Sequence, residues 1–308
     1  MRTHISIFSV IELTVHRHLS GVKSLLDAAN VTVMPQITKA SRAQLATFWN
    51  FARCDYLAAF INRTKTRLDT DDLGLWRAAG LQIDEYEGSQ SENPLDLAQS
   101  SKQSDTREDM LSNKLVWILS KLMNQLATDS SELRDKATTW ASLENELAKW
   151  HQSLPNTFSP AGRLEPDPNS TNPARSLFAE SFYSIPLCAV TMQHYHFAQV
   201  MLLLHKPREN SNSVRDQLRR YREIPDRIAY HCKEICAIAL GRPPGYVRIH
   251  MLQPLFIAGQ CLESAGERKR ILDLLRGIEI DLGWATQYRV DELLAEWGWD
   301  AMGGGFDR

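Results

Sequence analysis

Residues 192–207 read MQHYHFAQVMLLLHKP. The stretch joins an unbroken apolar run, Val200 to Leu204, to three histidines: His194, His196 and His205. Two readings compete, a metal site or one wall of a packed helix. Helix geometry separates them. An α-helix turns about 100° and rises about 1.5 Å per residue. His194 and His196 therefore diverge by about 200° and face opposite ways. His194 and His205 point in similar directions but stand about 16 Å apart along the axis. One zinc ion, with ligands at about 2.1 Å, cannot bridge that gap. The stretch is read as a helix packed on a seam of Ala189, Gln193, Val200, Met201 and Leu204. Its imidazoles are boundary residues, hydrogen-bonded within the helix and without a metal role.

The same periodicity extends in both directions. The surrounding helical pattern runs from Ala174 to about His205, where Pro207 ends it. Pro186 lies inside it, so a kink or a new helix start is expected there. Upstream, SRAQLATFWNFARCDYLAAFINR places Leu45, Phe48, Trp49, Ala52, Tyr56, Ala59 and Phe60 at spacings of three and four, with Ser41 as N-cap. LDTDDLGLWRAAG reads as a short helix with Thr70 as cap, Asp71 and Asp72 in its first turn, and Gly80 as its stop. Ile5 to Ala29 reads as an amphipathic helix before a turn at Pro35. Further helices are expected over Met110–Leu126 and Ser131–Gln152. The latter carries a seam of Leu133, Ala137, Trp140, Leu143, Leu147 and Trp150. Downstream, helices follow over Ser213–Arg222, Asp226–Leu240, Arg248–Ser264, Lys269–Asp281 and Val290–Trp297. The first pair is separated by Pro225, and Gly241 is a stop.

No succession of strictly alternating runs interrupts this pattern. The fold class is therefore all-α, a multi-helix bundle or solenoid-like array of about ten helices. Two irregular segments divide it. Residues 88–109 are rich in Ser, Gln and Asp and read as a flexible linker. Residues 153–175 form a Pro-rich loop. The expectation is one helical domain over residues 1–308.

Composition removes several function classes. The net charge is −2 over 308 residues, so no broad basic field gathers nucleic acid or anionic lipid. No stretch approaches the roughly 18 apolar residues of a membrane span, so no membrane partner is expected. The N-terminal apolar patch, Ile5 to Leu13, contains Glu12 and lacks a small-residue cleavage site, so it is not read as a signal peptide. The sequon at Asn169 is then a chance match. The five cysteines, Cys54, Cys188, Cys232, Cys236 and Cys261, are scattered among apolar residues, which suggests a reducing compartment.

Other candidate chemistry also reduces to structure. Cys232 and Cys236 in HCKEIC share a helix face with Ile228, Ile235 and Ala239, and buried thiols in an apolar stripe are core residues. GGG at 303–305 follows no strand, so it is no phosphate cradle. Arginines 215, 219, 220, 222 and 227 alternate with Asp216, Glu223 and Asp226 as a solvated face. Arg53 and Asp55 read as a partly buried polar pair. Catalytic, cofactor-binding and metal residues are each expected to be none.

Three stretches together carry a family likeness: Phe48–Gly80; WHQSLPNTFSP (150–160) with FAQVMLLLHKP (197–207); and IAYHCKEICAIALG (228–241) with the tryptophan-rich GWATQYRVDELLAEWGW (283–299). In that order they resemble the helical regulatory, or middle homology, region of fungal-specific transcription factors of the Zn(2)Cys(6) class. The likeness runs to Trp299 and covers nearly the whole chain. It rests on the succession of stretches rather than on one motif. It implies a non-catalytic regulator of RNA polymerase II transcription, acting in the nucleus. Its partners would be the transcription machinery or co-regulator proteins, with a small-molecule effector as a further input and a homodimer as assembly. None of the five cysteines has the spacing of the family's six-cysteine cluster. The resemblance thus implies DNA contact, and zinc, only through a cluster domain that these residues do not form.

Two other classes fit a helical chain: a protein-interaction scaffold, and an enzyme whose scattered site a single sequence hides. An effector pocket, where one exists, is expected between the Trp49 helix and the Phe197 helix, since aromatic-lined helix interfaces make apolar pockets.

Overall fold

The computed structural model describes residues 42–83, 100–128, 133–167, 177–207 and 214–299. The first expected helix, the Ser41 cap, the turn at Pro35 and the glycines at 303–305 lie outside them. The fold is all-α, with one small two-stranded sheet among the described residues. The described residues group into two compact units, within Met1–Gln152 and Ser153–Arg308. No helix of the described residues is long and apolar enough to cross a membrane.

The first unit contains α1 (Arg42–Asn62), α2 (Leu73–Ala78), α3 (Ser100–Leu126) and α4 (Leu133–Gln152). The expected face of α1 is the buried one: Phe48, Trp49, Ala52, Tyr56 and Ala59 are all in the core. In α4, Trp140, Leu143, Leu147 and Trp150 form the expected seam. The helix α3 begins at Ser100, inside the stretch read as linker. Glu108 is already buried there, because the polar run 100–109 continues the turn of the apolar segment after it. The rest of that stretch, 88–99, lies outside the described residues.

Tryptophans join these helices to the loop between α1 and α2. Phe48, Trp49, Trp76 and Trp117 form one cluster, with neighbouring ring centroids 5.2 to 6.5 Å apart. Each indole in it donates to a backbone carbonyl: Trp49 to Ala79 (3.0 Å), Trp76 to Asp69 (2.8 Å) and Trp117 to Thr70 (3.1 Å). An indole N–H carried into a core needs such a partner. Asp55 secures the same loop from α1. Its carboxylate is 1% exposed, accepts the N–H groups of Arg67 (2.7 Å) and Leu68 (2.9 Å), and pairs with the Arg67 guanidinium at 3.0 Å. From α3, Asn124 accepts the Thr66 N–H and donates to the Thr70 hydroxyl. Thr70 is thus part of the core, and Asp72 caps α2 by accepting the Leu75 N–H. Gly80 stops that helix at φ +88°, as its position suggests.

The second unit opens with a 3₁₀ turn (Asn156–Phe158) and β1 (Gly162–Leu164), antiparallel to β2 (Glu180–Phe182). This hairpin corrects the reading of 153–175 as irregular throughout; residues 168–176 lie outside the description. Three-residue strands are too short to show alternation. Then follow α5 (Pro186–Leu204), α6 (Val214–Leu240), α7 (Gly245–Arg248), a 3₁₀ turn (Ile249–Met251), α8 (Leu252–Cys261), α9 (Ala265–Leu282) and α10 (Gln287–Trp297). Pro186 starts α5, where its missing N–H costs nothing. Almost every residue of α5 from Cys188 to Leu203 is buried, against α6, α7, α8 and both 3₁₀ turns. A helix apolar on all sides belongs at the centre of its unit.

Two sequence readings of α6 change. Pro225 does not divide it; the helix is continuous and Pro225 sits on its exposed face. Its contact with α5, the most extensive between helices among the described residues, offsets the lost hydrogen bond. Gly241 follows the helix for a tertiary reason. A Cβ there would lie 1.8 Å from the Ser181 carbonyl oxygen of β2. The left-handed turn falls instead on Arg242, at φ +54°.

The last two helices are joined by a carboxylate. Glu279 accepts the Thr286 N–H (2.8 Å), the Thr286 hydroxyl (2.9 Å) and the Gln287 N–H (2.8 Å), at the N-terminus of α10. These bonds, the Thr286 N–H foremost, hold its carboxyl below the usual carboxylate range.

Asp55→Ala is expected to cost about 3 kcal/mol, because it strands two buried N–H groups and a guanidinium. Arg67→Ala leaves both N–H bonds in place and is expected to cost about 1 kcal/mol. Urea unfolding followed by tryptophan fluorescence checks both, and equal losses would refute the ordering. For Glu279 the folded state favours the charged form. Its contribution is full above the unfolded carboxylate pKa of about 4.3 and is lost as pH falls through the lower folded value. Glu279→Gln should therefore be less stable than the parent at neutral pH and indistinguishable from it in strong acid, as read from melting temperatures across pH.

Candidate functional site

The three histidines of α5 do not share a site. His194 donates from Nδ1 to the Val190 carbonyl, 2.8 Å away, and His205 donates from Nδ1 to the Met201 carbonyl, 3.1 Å away. Since a carbonyl only accepts, Nδ1 is the protonated nitrogen in both. These bonds lie within the helix, as expected. The boundary location is corrected for two of the three. His194 and His196 are 6% and 7% exposed, because α5 is enclosed on all sides, and only His205 reaches solvent.

His196 also breaks the expected pattern in its partner. Its Nδ1 lies 2.9 Å from Nδ1 of His231, on α6. One imidazole donates and the other accepts, so the pair holds a proton between two buried rings. Tyr195 and Tyr230 stand edge-on to His196 and His231, with centroids 5.2 and 5.1 Å away. His231 is the residue that periodicity did not single out. The partner lies 35 positions away, and nothing in either local pattern points to it. Among the described residues, no group of three or more His, Cys, Asp or Glu side chains is placed to hold a metal ion.

The cysteines are free. Cys232 and Cys236 are fully buried on one face of α6, as the stripe suggests. Burial pushes the Cys236 thiol up. Cys232 donates to the sulfur of Cys261, at the end of α8. That bond and burial raise Cys232, and the same bond lowers Cys261. Arg53 and Asp55 are not a pair with one another: Arg53 donates to Asn113 (2.8 Å) and Asp55 holds the Arg67 loop. Arg222 and Arg227 are exposed; the side chains of arginines 215, 219 and 220 lie outside the description.

The helices of Trp49 and Phe197, between which a pocket was expected, belong to different units. Trp49 is packed on Phe48 and Trp76 in the first unit, and Phe197 is fully buried in the second. A cavity of about 390 Å³ lies elsewhere, where the C-terminal end of α6 meets α7, α8 and α9. Leu240, Met251, Leu255 and Ile278 line it, all buried, together with Arg242, Arg248 and Arg270. Those arginines are spread over 29 positions, on a loop, on α7 and on α9, so no sequence motif joins them.

With this geometry in view, comparison with known proteins gives one kind of likeness. The chain is 37% identical, over 314 aligned positions, to the transcription activator AMTR1 of Alternaria alternata. The alignment takes in 91% of the chain and 41% of that protein. The chain is thus a homologue of a transcription activator and spans about two fifths of its relative's length. No family model and no solved structure matches.

The thiol arrangement predicts an order of reactivity. With the native protein and iodoacetamide, Cys261 should be alkylated before Cys232 and Cys236, since the thiolate is the nucleophile and Cys261 is both partly exposed and lowered. Peptide mass mapping against time checks it; early labelling of Cys236 would contradict the assigned core.

Proposed function

We propose that this chain is the regulatory region of a transcription regulator of the Zn(2)Cys(6) class and that its role is not catalytic. The observation that carries the reading is the 37% identity to a transcription activator across 91% of the chain. Two further features support it. The imidazoles and thiols that suggest chemistry in the sequence are engaged with Val190, Met201, His231 and Cys261, which are structural partners. The stretches that carry the family likeness, Phe48–Gly80 and Phe197–Pro207 among them, supply much of the core of each unit. In this reading the chain works in the nucleus. It meets the transcription machinery or a co-regulator and receives a partner or a small molecule as input. It reaches DNA through a zinc-cluster domain outside these residues.

A fusion of the chain to an unrelated DNA-binding domain, tested on a reporter carrying that domain's site in a fungal host, decides the matter. Reporter transcription should change several-fold relative to the DNA-binding domain alone. The change should be lost in Asp55→Ala, where the first unit is destabilised. An inert fusion that is expressed, folded and nuclear would refute the proposal.

A further inference from the structure

The cavity at the end of α6 has the composition of a binding site for an organic anion. Its volume of about 390 Å³ falls within the range of about 300–1,000 Å³ for small-molecule sites. Its wall is mainly aliphatic, from Leu240, Met251, Leu255 and Ile278. Three arginines and two aspartates, Asp273 and Asp281, also line it, which leaves one positive charge in excess (3 − 2 = 1).

Those charges are unevenly matched. Arg248 is paired with Asp281 at 2.7 Å. Arg270 stands 3.9 Å from Asp273, beyond hydrogen-bond distance, and its Nε is buried without a partner. A buried donor left open in this way is costly unless a ligand or water completes it. Arg242, at the edge, holds a backbone conformation that L-residues rarely adopt, φ +54°. The close approach of Gly241 to Ser181 places it there. Outliers of this kind gather at ligand sites, where surrounding structure maintains them.

We propose that this cavity binds a small carboxylate with an apolar body. The carboxylate meets the guanidinium groups of Arg270 and Arg242, and the body lies on the aliphatic wall. Guanidinium presents paired donors that match a carboxylate's two oxygens. The single excess charge suits a monoanion. The inference rests on the regulatory reading only for its consequence, that such a ligand is the input.

The test uses the 308-residue chain and two probes. The fluorescent arylsulfonate 8-anilinonaphthalene-1-sulfonate reports occupancy, and octanoate competes with it against octan-1-ol, of equal chain length. Octanoate should displace the dye at a concentration at least about tenfold lower than octan-1-ol, because a charge-assisted hydrogen bond is stronger than a neutral one by an energy worth about tenfold in affinity. Arg270→Gln should remove most of this preference. Gly277→Leu places a side chain in the cavity at a helical position where glycine is unfavourable, so binding should vanish while helicity and melting temperature hold. Leu274→Trp, on the same wall, repeats the blocking test should Gly277→Leu fail to fold. Equal displacement by the alcohol, or dye binding unchanged in a folded blocked variant, overturns the proposal. Octanoate binding with an inert reporter fusion upholds the site and refutes the regulatory reading. An active fusion whose cavity binds neither probe does the reverse.

Discussion

A helix enclosed by its neighbours can satisfy a polar side chain only within the protein, and this constraint organises both units. In the second unit α5 carries Gln193, His194 and His196 into the core. Gln193 donates to the Ile235 carbonyl of α6 at 2.9 Å, and His196 meets His231 on the same helix. In the first unit the indoles of Trp49, Trp76 and Trp117 are the polar atoms that must be placed. The loop after α1 supplies the carbonyls of Asp69 and Thr70, and the end of α2 supplies that of Ala79. In each case apolar burial gives most of the driving force, and the hydrogen bonds select one arrangement among several of similar packing.

This division of labour bears on function. Groups that in another setting would bind metal or attack a substrate are here consumed by the fold. Beside the cavity, Arg242 holds a left-handed conformation and Gly241 brings the end of α6 against the hairpin, while the Arg270 Nε has no partner. A regulatory protein needs a site whose occupancy changes the relative energies of two arrangements of its helices. The cavity is lined from α6, α7, α8 and α9, so a ligand bound there would contact four elements at once.

The relation to a transcription activator fits a chain built in this way. The cores of its two units are apolar and aromatic. The Arg163 guanidinium, bidentate to Glu234 at 2.8 and 2.7 Å, ties the hairpin to α6 on the surface. It also donates to Ser181, the residue whose carbonyl requires Gly241. The hairpin thus touches α6 at Glu234 and again at Gly241, next to Arg242 at the cavity edge.

The helices and their buried faces were legible without coordinates. The spacing of Phe48, Trp49, Ala52, Tyr56 and Ala59, and of Trp140, Leu143, Leu147 and Trp150, is a local property of one helix; Pro186, read as a kink or a new start, begins α5, while Glu180–Phe182 ahead of it, read as helix, form β2. The stacking of Cys232 and Cys236 on one face follows from the same periodicity. Tertiary structure alone decided where polar groups found partners. It set Asp72 rather than Thr70 as a cap, let α6 run through Pro225, paired His196 with His231 and Asp55 with the Arg67 loop, and gathered Arg242, Arg248 and Arg270 at one cavity. The reason is distance along the chain: periodicity records which way a side chain faces, whereas a hydrogen bond or a cavity depends on residues that only folding brings near.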